Sequence, residues 1–383
     1  MKVFILAGEP SGDKLGGALM AGLKSLRPDV HFEGIGGSAM AAEGLNSRFD
    51  MSELSVMGLA EILPRYRALK LRINQTAAAV VDMQPDVLIT IDSPDFSLRV
   101  ARQVKAVSQI RCVHYVAPTV WAWRPGRAEK MARYIDQVLA LLPFEPPYME
   151  AAGMRCDFVG HPVVAEPVAS AAQAAAFRAK HGLGDAPLLL VLPGSRQSEV
   201  SRLGPVFQQV VARLQVARPE MRVVIPAAAP VVKAVRMLVR NWGVQPVVLD
   251  PLSNQGVDPL AEKRAAFRAA DVALAVSGTV SLELAASETP MVIAYDMNWL
   301  SRQVIGRMVK VDTVTLVNLV SETRAVPEYI GANCRPGPIA EGILHILDGP
   351  DTQYQAMALA MKRLGQGGEA PGLRAARAVL EGL

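Results

Sequence analysis

The chain opens on an apolar run at 3–7, continues through a short stretch of small and acidic residues, and then shows helical apolar spacing over 14–26. Further short apolar runs fall at 30–33, 85–91, 113–116 and 137–141, with a helical pattern at 96–107. Continuous apolar runs of this length suit strands buried on both faces, and parallel strands need crossover helices between them. After 163–176, rich in Ala, Val and Pro, a second series begins with runs at 188–192, 222–225, 247–249, 272–276 and 291–294. The pattern predicts an α/β protein of two Rossmann-like doubly wound domains facing a cleft. The expected boundaries are 1–165, 166–340 and a helical tail at 341–383, interrupted near 365–368 and packed back on the first domain or on a partner subunit.

Composition narrows this little. The 383 residues are 51% hydrophobic and 20% charged, which fits globular cores and excludes a disordered chain. A net charge of +4 makes an anionic ligand or surface plausible and selects no partner. Cys112, Cys156 and Cys334 show neither a disulfide framework nor zinc-ligand spacing, so a reducing compartment and no metal are expected. The first apolar run is too short for a signal peptide and reads as a strand. No uncharged apolar stretch approaches the roughly 18 residues of a spanning helix.

Ligands of open parallel sheets bind beyond the carboxyl ends of strands, so chemistry is sought in the segments that follow the apolar runs. Gly8-Glu9-Pro10-Ser11-Gly12-Asp13 follows the first; it is not a dinucleotide fingerprint, and its carboxylates would repel a pyrophosphate. Glu9 there reads as ligand-facing or as turn chemistry, and Ser11 or Asp13 as a helix cap. Asp92-Ser93-Pro94-Asp95 offers two carboxylates where a substrate hydroxyl could lose its proton. Asp92 suits that role, whereas Asp95 reads equally as a cap of the next helix. Gly194-Ser195-Arg196 suits phosphate, with backbone N–H groups donating and the guanidinium neutralising charge, unless the arginine merely closes a turn. Ser277-Gly278-Thr279 again leads into a helix, and Glu283 either accepts from ribose hydroxyls or stabilises the first helical turn. Anion-binding segments thus lie in the second half and paired carboxylates in the first.

The stretch 54–73 interleaves Val56, Met57, Leu59, Ile62, Leu63 and Leu69 with Arg65, Arg67, Lys70 and Arg72. Such a segment suits an anionic lipid surface, or else a helix packed on its own domain with a solvated basic face. Trp121-Ala122-Trp123-Arg124 is an aromatic ligand lining or core.

These blocks, together with Met57-Gly58-Leu59-Ala60-Glu61, His114-Tyr115-Val116-Ala117-Pro118, Leu142-Pro143-Phe144-Glu145, Val159-Gly160-His161-Pro162, Val317-Asn318-Leu319 and Val326-Pro327-Glu328, resemble the signature segments of lipid-A-disaccharide synthases, in family order over nearly the whole chain. Pro10 and Thr119 depart mildly from that pattern and remove no proposed functional group. The resemblance implies a GT-B-type, UDP-sugar-dependent, inverting glycosyltransferase. It would join UDP-2,3-diacylglucosamine to 2,3-diacylglucosamine 1-phosphate, forming a β-1,6-linked disaccharide and UDP at the cytoplasmic face of the inner membrane. It further implies Asp92 as general base, Glu9 at the acceptor or reaction centre, Ser11 and Asp95 on substrate, and Gly194, Ser195 and Arg196 on the UDP phosphates. Ser277, Gly278, Thr279 and Glu283 would meet the nucleotide, with Asn318 close by. Neither cofactor nor nucleic acid is expected, and the tail leaves room for a homodimer.

Overall fold

The computed structural model describes residues 1–54, 59–122, 126–253, 258–297 and 311–383, and in the helix that starts at Leu59 the side chains from Arg67 onward. Two compact units result: Met1–Ala165 with Leu364–Leu383, and Glu166–Arg363.

The first unit runs β1 (Lys2–Ala7), α1 (Pro10–Leu26), β2 (His31–Ile35), α2 (Ser38–Ala42), α3 (Leu59–Met83), β3 (Val87–Ile91), α4 (Pro94–Val107), β4 (Arg111–Tyr115), α5 (Gly126–Met131), β5 (Gln137–Ala140), α6 (Pro146–Glu150) and β6 (Arg155–Phe158). The sheet order is β2-β1-β3-β4-β5-β6, with every pair parallel. Successive strand side chains point to opposite faces, so Val3, Ile5 and Ala7 join the core containing Leu15 and Leu19 of α1, while Phe4 and Leu6 join the core containing Val80 of α3 and Val100 of α4. Both faces are covered, which is why the strand reads as continuously apolar. The first helix begins at Pro10, at the first helical position where proline loses nothing, and not near residue 14. Ser11 and Asp13 therefore lie in its first turn.

The second unit runs α7 (Ala171–Lys180), β7 (Leu188–Leu192), α8 (Gln197–Ala217), β8 (Arg222–Pro226), α9 (Val232–Val239), β9 (Val247–Leu249), α10 (Pro259–Ala269), β10 (Val272–Ala275), α11 (Val280–Ala286), β11 (Met291–Tyr295), α12 (Leu316–Ser321), β12 (Glu328–Ile330), α13 (Pro336–Asp348) and α14 (Asp351–Arg363). Its parallel order, β12-β11-β10-β7-β8-β9, reverses direction between β7 and β10. In the first unit the reversal lies between β1 and β3. At such switch points the connections leave in opposite directions and open a crevice at the strand ends.

The tail divides at residue 364 and not at 341. Ile339, Ile343 and Ile346 of α13 belong to the core with Val272, Leu274 and Val292. The Gln353 side-chain amide of α14 is bonded to both the N–H and the C=O of Met291, each at 2.8 Å, like a short extra strand. The last helix, α15 (Pro371–Glu381), lies on α1 of the first unit. Gly22 and Gly372 let them approach, since a Cβ on Gly22 would stand 2.7 Å from the Gly372 carbonyl oxygen. No helix among the described residues is long and apolar enough to cross a membrane.

Candidate functional site

In the second unit the ends of β7, β8, β9 and β10 surround a cavity of about 590 Å³, lined among others by Gly194, Ser195, Arg196, Glu199, Lys263, Ser277, Gly278, Thr279 and Glu283. The sequence-derived candidates of this half are thus brought together at the strand-order reversal, with one exception. Asn318 is buried, and its amide is committed internally: Nδ2 donates to Thr313 Oγ1 and the Val326 carbonyl, and Oδ1 accepts from Val326 N. It braces the segment before β12 and is not among the cavity-lining residues.

The turn after β7 differs from a phosphate cradle in one respect. Ser195 N and Arg196 N donate to Glu199 Oε2, at 2.9 and 3.2 Å, so a carboxylate of the first turn of α8 already fills the place where an anion was expected. Gly194 is required here: its φ is +114°, and a Cβ would stand 2.6 Å from Glu199 Cβ. The Arg196 guanidinium, by contrast, is 64% exposed, only loosely paired to Glu199 at 3.7 Å, and belongs to a residue that lines the cavity. A second cation, Lys263 of α10, was not singled out from sequence, because a lysine on a helix reads as a solvated face. Its Nζ lies 2.6 Å from Glu283 Oε2, so Glu283 enters the cavity as half of an ion pair. Gly278 has nothing within 4 Å of its Cβ direction and leaves the backbone open to a ligand.

In the first unit, Glu9 and Asp92 follow the two strands that flank the reversal, β1 and β3. Their segments touch, since a Cβ on Gly8 would meet Ser93 Oγ at 2.6 Å. Asp92 and Ser93 both adopt left-handed backbone, φ 46° and 43°, a costly arrangement for two successive non-glycine residues and one that concentrates at functional segments. Asp92 N donates to the Tyr115 carbonyl at 3.0 Å, which continues the β3–β4 ladder and leaves the side chain partly exposed beyond it. Asp95 is exposed in the first turn of α4 and does not occupy the cap position, which is Ser93. Ser11 is exposed, and Glu9 is partly buried at the cap position of α1. Asp13 is buried: its carboxylate accepts from Gly37, Ala39 and Met40 N at 2.7, 2.8 and 3.1 Å, and so caps α2 instead of its own helix. Beside Pro10 lies a hollow of about 430 Å³ whose walls include Gly36, Gly37, Phe49 and Met51.

Three buried titratable groups of this unit bear on acid–base chemistry. Burial pushes His114 and His161 down to about 4, so both are neutral core groups and poor bases. Burial pushes Glu145 the other way, up to about 7, against the opposing effect of its hydrogen bonds with Leu142, Trp121 and Leu141. Because that value is raised, its contribution to stability is present below the usual carboxylate range and is lost as pH rises through about 7. The Leu142-Pro143-Phe144-Glu145 block carried no candidate; a glutamate just past an apolar strand was the available signal.

Of the lipid-surface candidates, Val56 and Met57 lie outside the described residues, as do the side chains of Leu59, Ile62, Leu63 and Arg65. Arg67 and Lys70 are exposed. Leu69, expected on the outer face, is half-buried and packs against the core, while Leu71 is 55% exposed in its stead. Arg72 is turned inward, paired with Glu53 at 2.8 Å and stacked on Phe49. Trp121 is half-buried, and Trp123 and Arg124 lie outside the described residues.

Two doubly wound units, each with its candidate residues at a strand-order reversal, make the architecture of the two-domain UDP-sugar enzymes. A solved UDP-GlcNAc 2-epimerase from Neisseria meningitidis, bound to UDP-GlcNAc, matches over 100% of this chain and 99% of its own with a TM-score of 0.61 at 13% identity, which establishes the shared fold. The model of the lipid-A-disaccharide synthetase family matches residues 3–379. The lipid-A-disaccharide synthase of Ruegeria pomeroyi is 63% identical over 100% of this chain and 96% of its own length, and that of Rhodospirillum centenum 45% identical over 99% and 94%. The chain belongs to the lipid-A-disaccharide synthase family and is a glycosyltransferase.

Proposed function

We propose that the protein transfers 2,3-diacylglucosamine from UDP-2,3-diacylglucosamine to 2,3-diacylglucosamine 1-phosphate. The acceptor's 6-hydroxyl oxygen bonds to the anomeric carbon as the bond from that carbon to the UDP oxygen breaks, and the configuration inverts to a β-1,6 linkage. Asp92 takes the hydroxyl proton, Glu9 and Asp95 attend the acceptor, and UDP leaves with the negative charge. The observation that carries this reading is the cavity at the β7/β10 reversal. It offers Arg196 and Lys263 to a diphosphate, Glu283 to ribose hydroxyls and the open Gly278 turn to the nucleotide. Charge on the departing diphosphate is offset by side chains, so the reaction as drawn needs no metal. The hollow beside Pro10 is apolar enough to take the start of an acyl chain. Purified protein given the acylated donor and acceptor should yield a disaccharide lipid by mass spectrometry. Turnover of UDP-N-acetylglucosamine in place of the acylated donor is the result that defeats this assignment.

Both substrates carry acyl chains, and each CH₂ drawn into water costs about 0.8 kcal/mol, so the enzyme works where the chains stay in the bilayer, on the cytoplasmic face of the inner membrane. The exposed Arg67, Lys70 and Leu71 of α3 supply the contact. A basic residue near an anionic surface contributes about 1 kcal/mol, so Arg67→Glu with Lys70→Glu should lower binding to phosphatidylglycerol vesicles at least about 30-fold. Equal sedimentation of variant and wild type removes this segment from the membrane contact.

A further inference from the structure

We propose that Glu145 is a positioning residue for the acceptor side: its buried carboxylate ties Trp121 to the end of β5 and so holds the segment after β4 beside Asp92. This rests on the acceptor lying at the strand ends of the first unit.

The geometry is that of a brace. Glu145 is 3% exposed. Its Oε2 accepts from Leu141 N and Leu142 N at 3.1 and 3.0 Å, which fastens it to the turn that follows β5. Its Oε1 accepts from Trp121 Nε1 at 3.4 Å, and the indole stands edge-on to Phe144 with ring centroids 5.1 Å apart. Trp121 belongs to the segment after β4, and β4 lies between β3, which presents Asp92, and β5. That segment starts under strain: Val116, a β-branched residue, has φ +84°. Its N–H is held by the Leu139 carbonyl of β5 at 3.0 Å. A strained backbone persists only where its surroundings over-determine it. Here β5 supplies the fastening at Val116 and the turn after it the one through Glu145, while Asp92 hangs from the last residue of β4 through the Tyr115 carbonyl. A carboxylate is suited to this place because it accepts on both oxygens. A protonated carboxyl or a glutamine presents a donor to one of its partners and must give that bond up. The titratable group facing it from β6 is the Cys156 thiol, itself pushed up first by burial and then by Glu145. Burial is the leading cause of the Glu145 shift as well.

The test is Glu145→Gln. An amide oxygen turned to Leu141 and Leu142 keeps those bonds, and the NH₂ then opposes the indole N–H. We expect acceptor KM to rise about tenfold with a smaller change in kcat, as for loss of one charge-assisted hydrogen bond. In wild type, acceptor KM should rise as pH falls through about 7, where Glu145 takes up a proton, and in the variant this limb should be absent. Trp121→Phe should reproduce the KM change, and the double variant should be no worse than either single one. It also supplies the measurement if Glu145→Gln fails to fold. Independently of turnover, the Trp121 indole N–H resonance of ¹⁵N-tryptophan-labelled protein, assigned by its loss in Trp121→Phe, should titrate in wild type and not in Glu145→Gln. A flat wild-type titration, or variants that lose thermal stability with unchanged KM and pH profile, overturns the proposal. Absence of disaccharide from wild type defeats the substrate assignment instead, and the indole titration still decides whether the brace exists.

Discussion

The Asp92→Asn variant is expected to form disaccharide roughly 10²–10⁴-fold more slowly than wild type, the range for loss of a general base, with its affinity for UDP unchanged. The substitution is well placed to isolate chemistry from folding. Asparagine tolerates left-handed backbone better than almost any other residue with a side chain, and the φ of 46° at this position demands that tolerance. The backbone N–H that donates to Tyr115 is untouched, so the β3–β4 ladder should close as before. The partly exposed carboxylate loses its charge and its capacity to take a proton, one oxygen giving way to an NH₂ donor, while its shape is kept. Asp95→Asn provides the contrast: Asp95 is exposed in the first turn of α4 and attends the acceptor without taking its proton, so its replacement should raise acceptor KM and leave kcat within a small factor of wild type. Undiminished turnover in Asp92→Asn, or the large loss in Asp95→Asn, would reassign the base. UDP binding, measured by calorimetry, keeps the result interpretable, because the residues proposed to meet the nucleotide all belong to the other unit.

Much of this arrangement was legible because parallel strands buried on both faces are written as unbroken apolar runs, and the residues just past such runs are where crevices open. The runs at 3–7, 85–91, 188–192 and 272–276 therefore located the segments that carry the candidates, and the strand order then shows that these runs flank the two reversals. Strands at sheet edges are marked less evenly: β2 and β9 show as runs at 30–33 and 247–249, and the other two edges do not. β6, Arg-Cys-Asp-Phe, and β12, Glu-Tyr-Ile, pair on one side only, are largely half-buried, and are not among the apolar runs. Long-range roles of polar side chains were equally hidden. Asp13 looked like a cap for the helix it lies in, yet it caps α2, with partners 24 to 27 residues away. Glu199 drew no reading from sequence, yet it accepts from the Ser195 and Arg196 N–H groups. Glu145 shows its value only when its burial and its three donors are seen together. For Asp13 and for the Trp121–Glu145 bond the partner lies 24 to 27 residues away, and spacing along an element does not report such neighbours; Glu199 bonds three and four residues back, where the residue type alone did not tell a turn-closing acid from a solvated one.

Glu199 also determines what should happen when Arg196 is replaced. Had the Gly194-Ser195-Arg196 amides been open, an Arg196→Ala protein would keep backbone donors for a phosphate and lose modestly. With those amides committed to Glu199, the side chain carries the contact, and nothing behind it can substitute without Glu199 first leaving. Hydrogen bonds to charged groups contribute about 1.5–3 kcal/mol each, so Arg196→Ala should weaken UDP binding roughly 10- to 150-fold. The same change should flatten the dependence of affinity on salt, since an exposed cation is what ionic strength screens. Arg196→Lys should recover part of the affinity, because a point charge replaces a two-pronged planar donor. Lys263, 2.6 Å from Glu283, already serves the diphosphate in wild type and so does not replace the lost guanidinium. Unaltered UDP affinity in Arg196→Ala would mean that the diphosphate displaces Glu199 and lies on the amides after all, and the Glu199→Gln protein would then bind UDP more tightly than wild type, having only a neutral amide to displace.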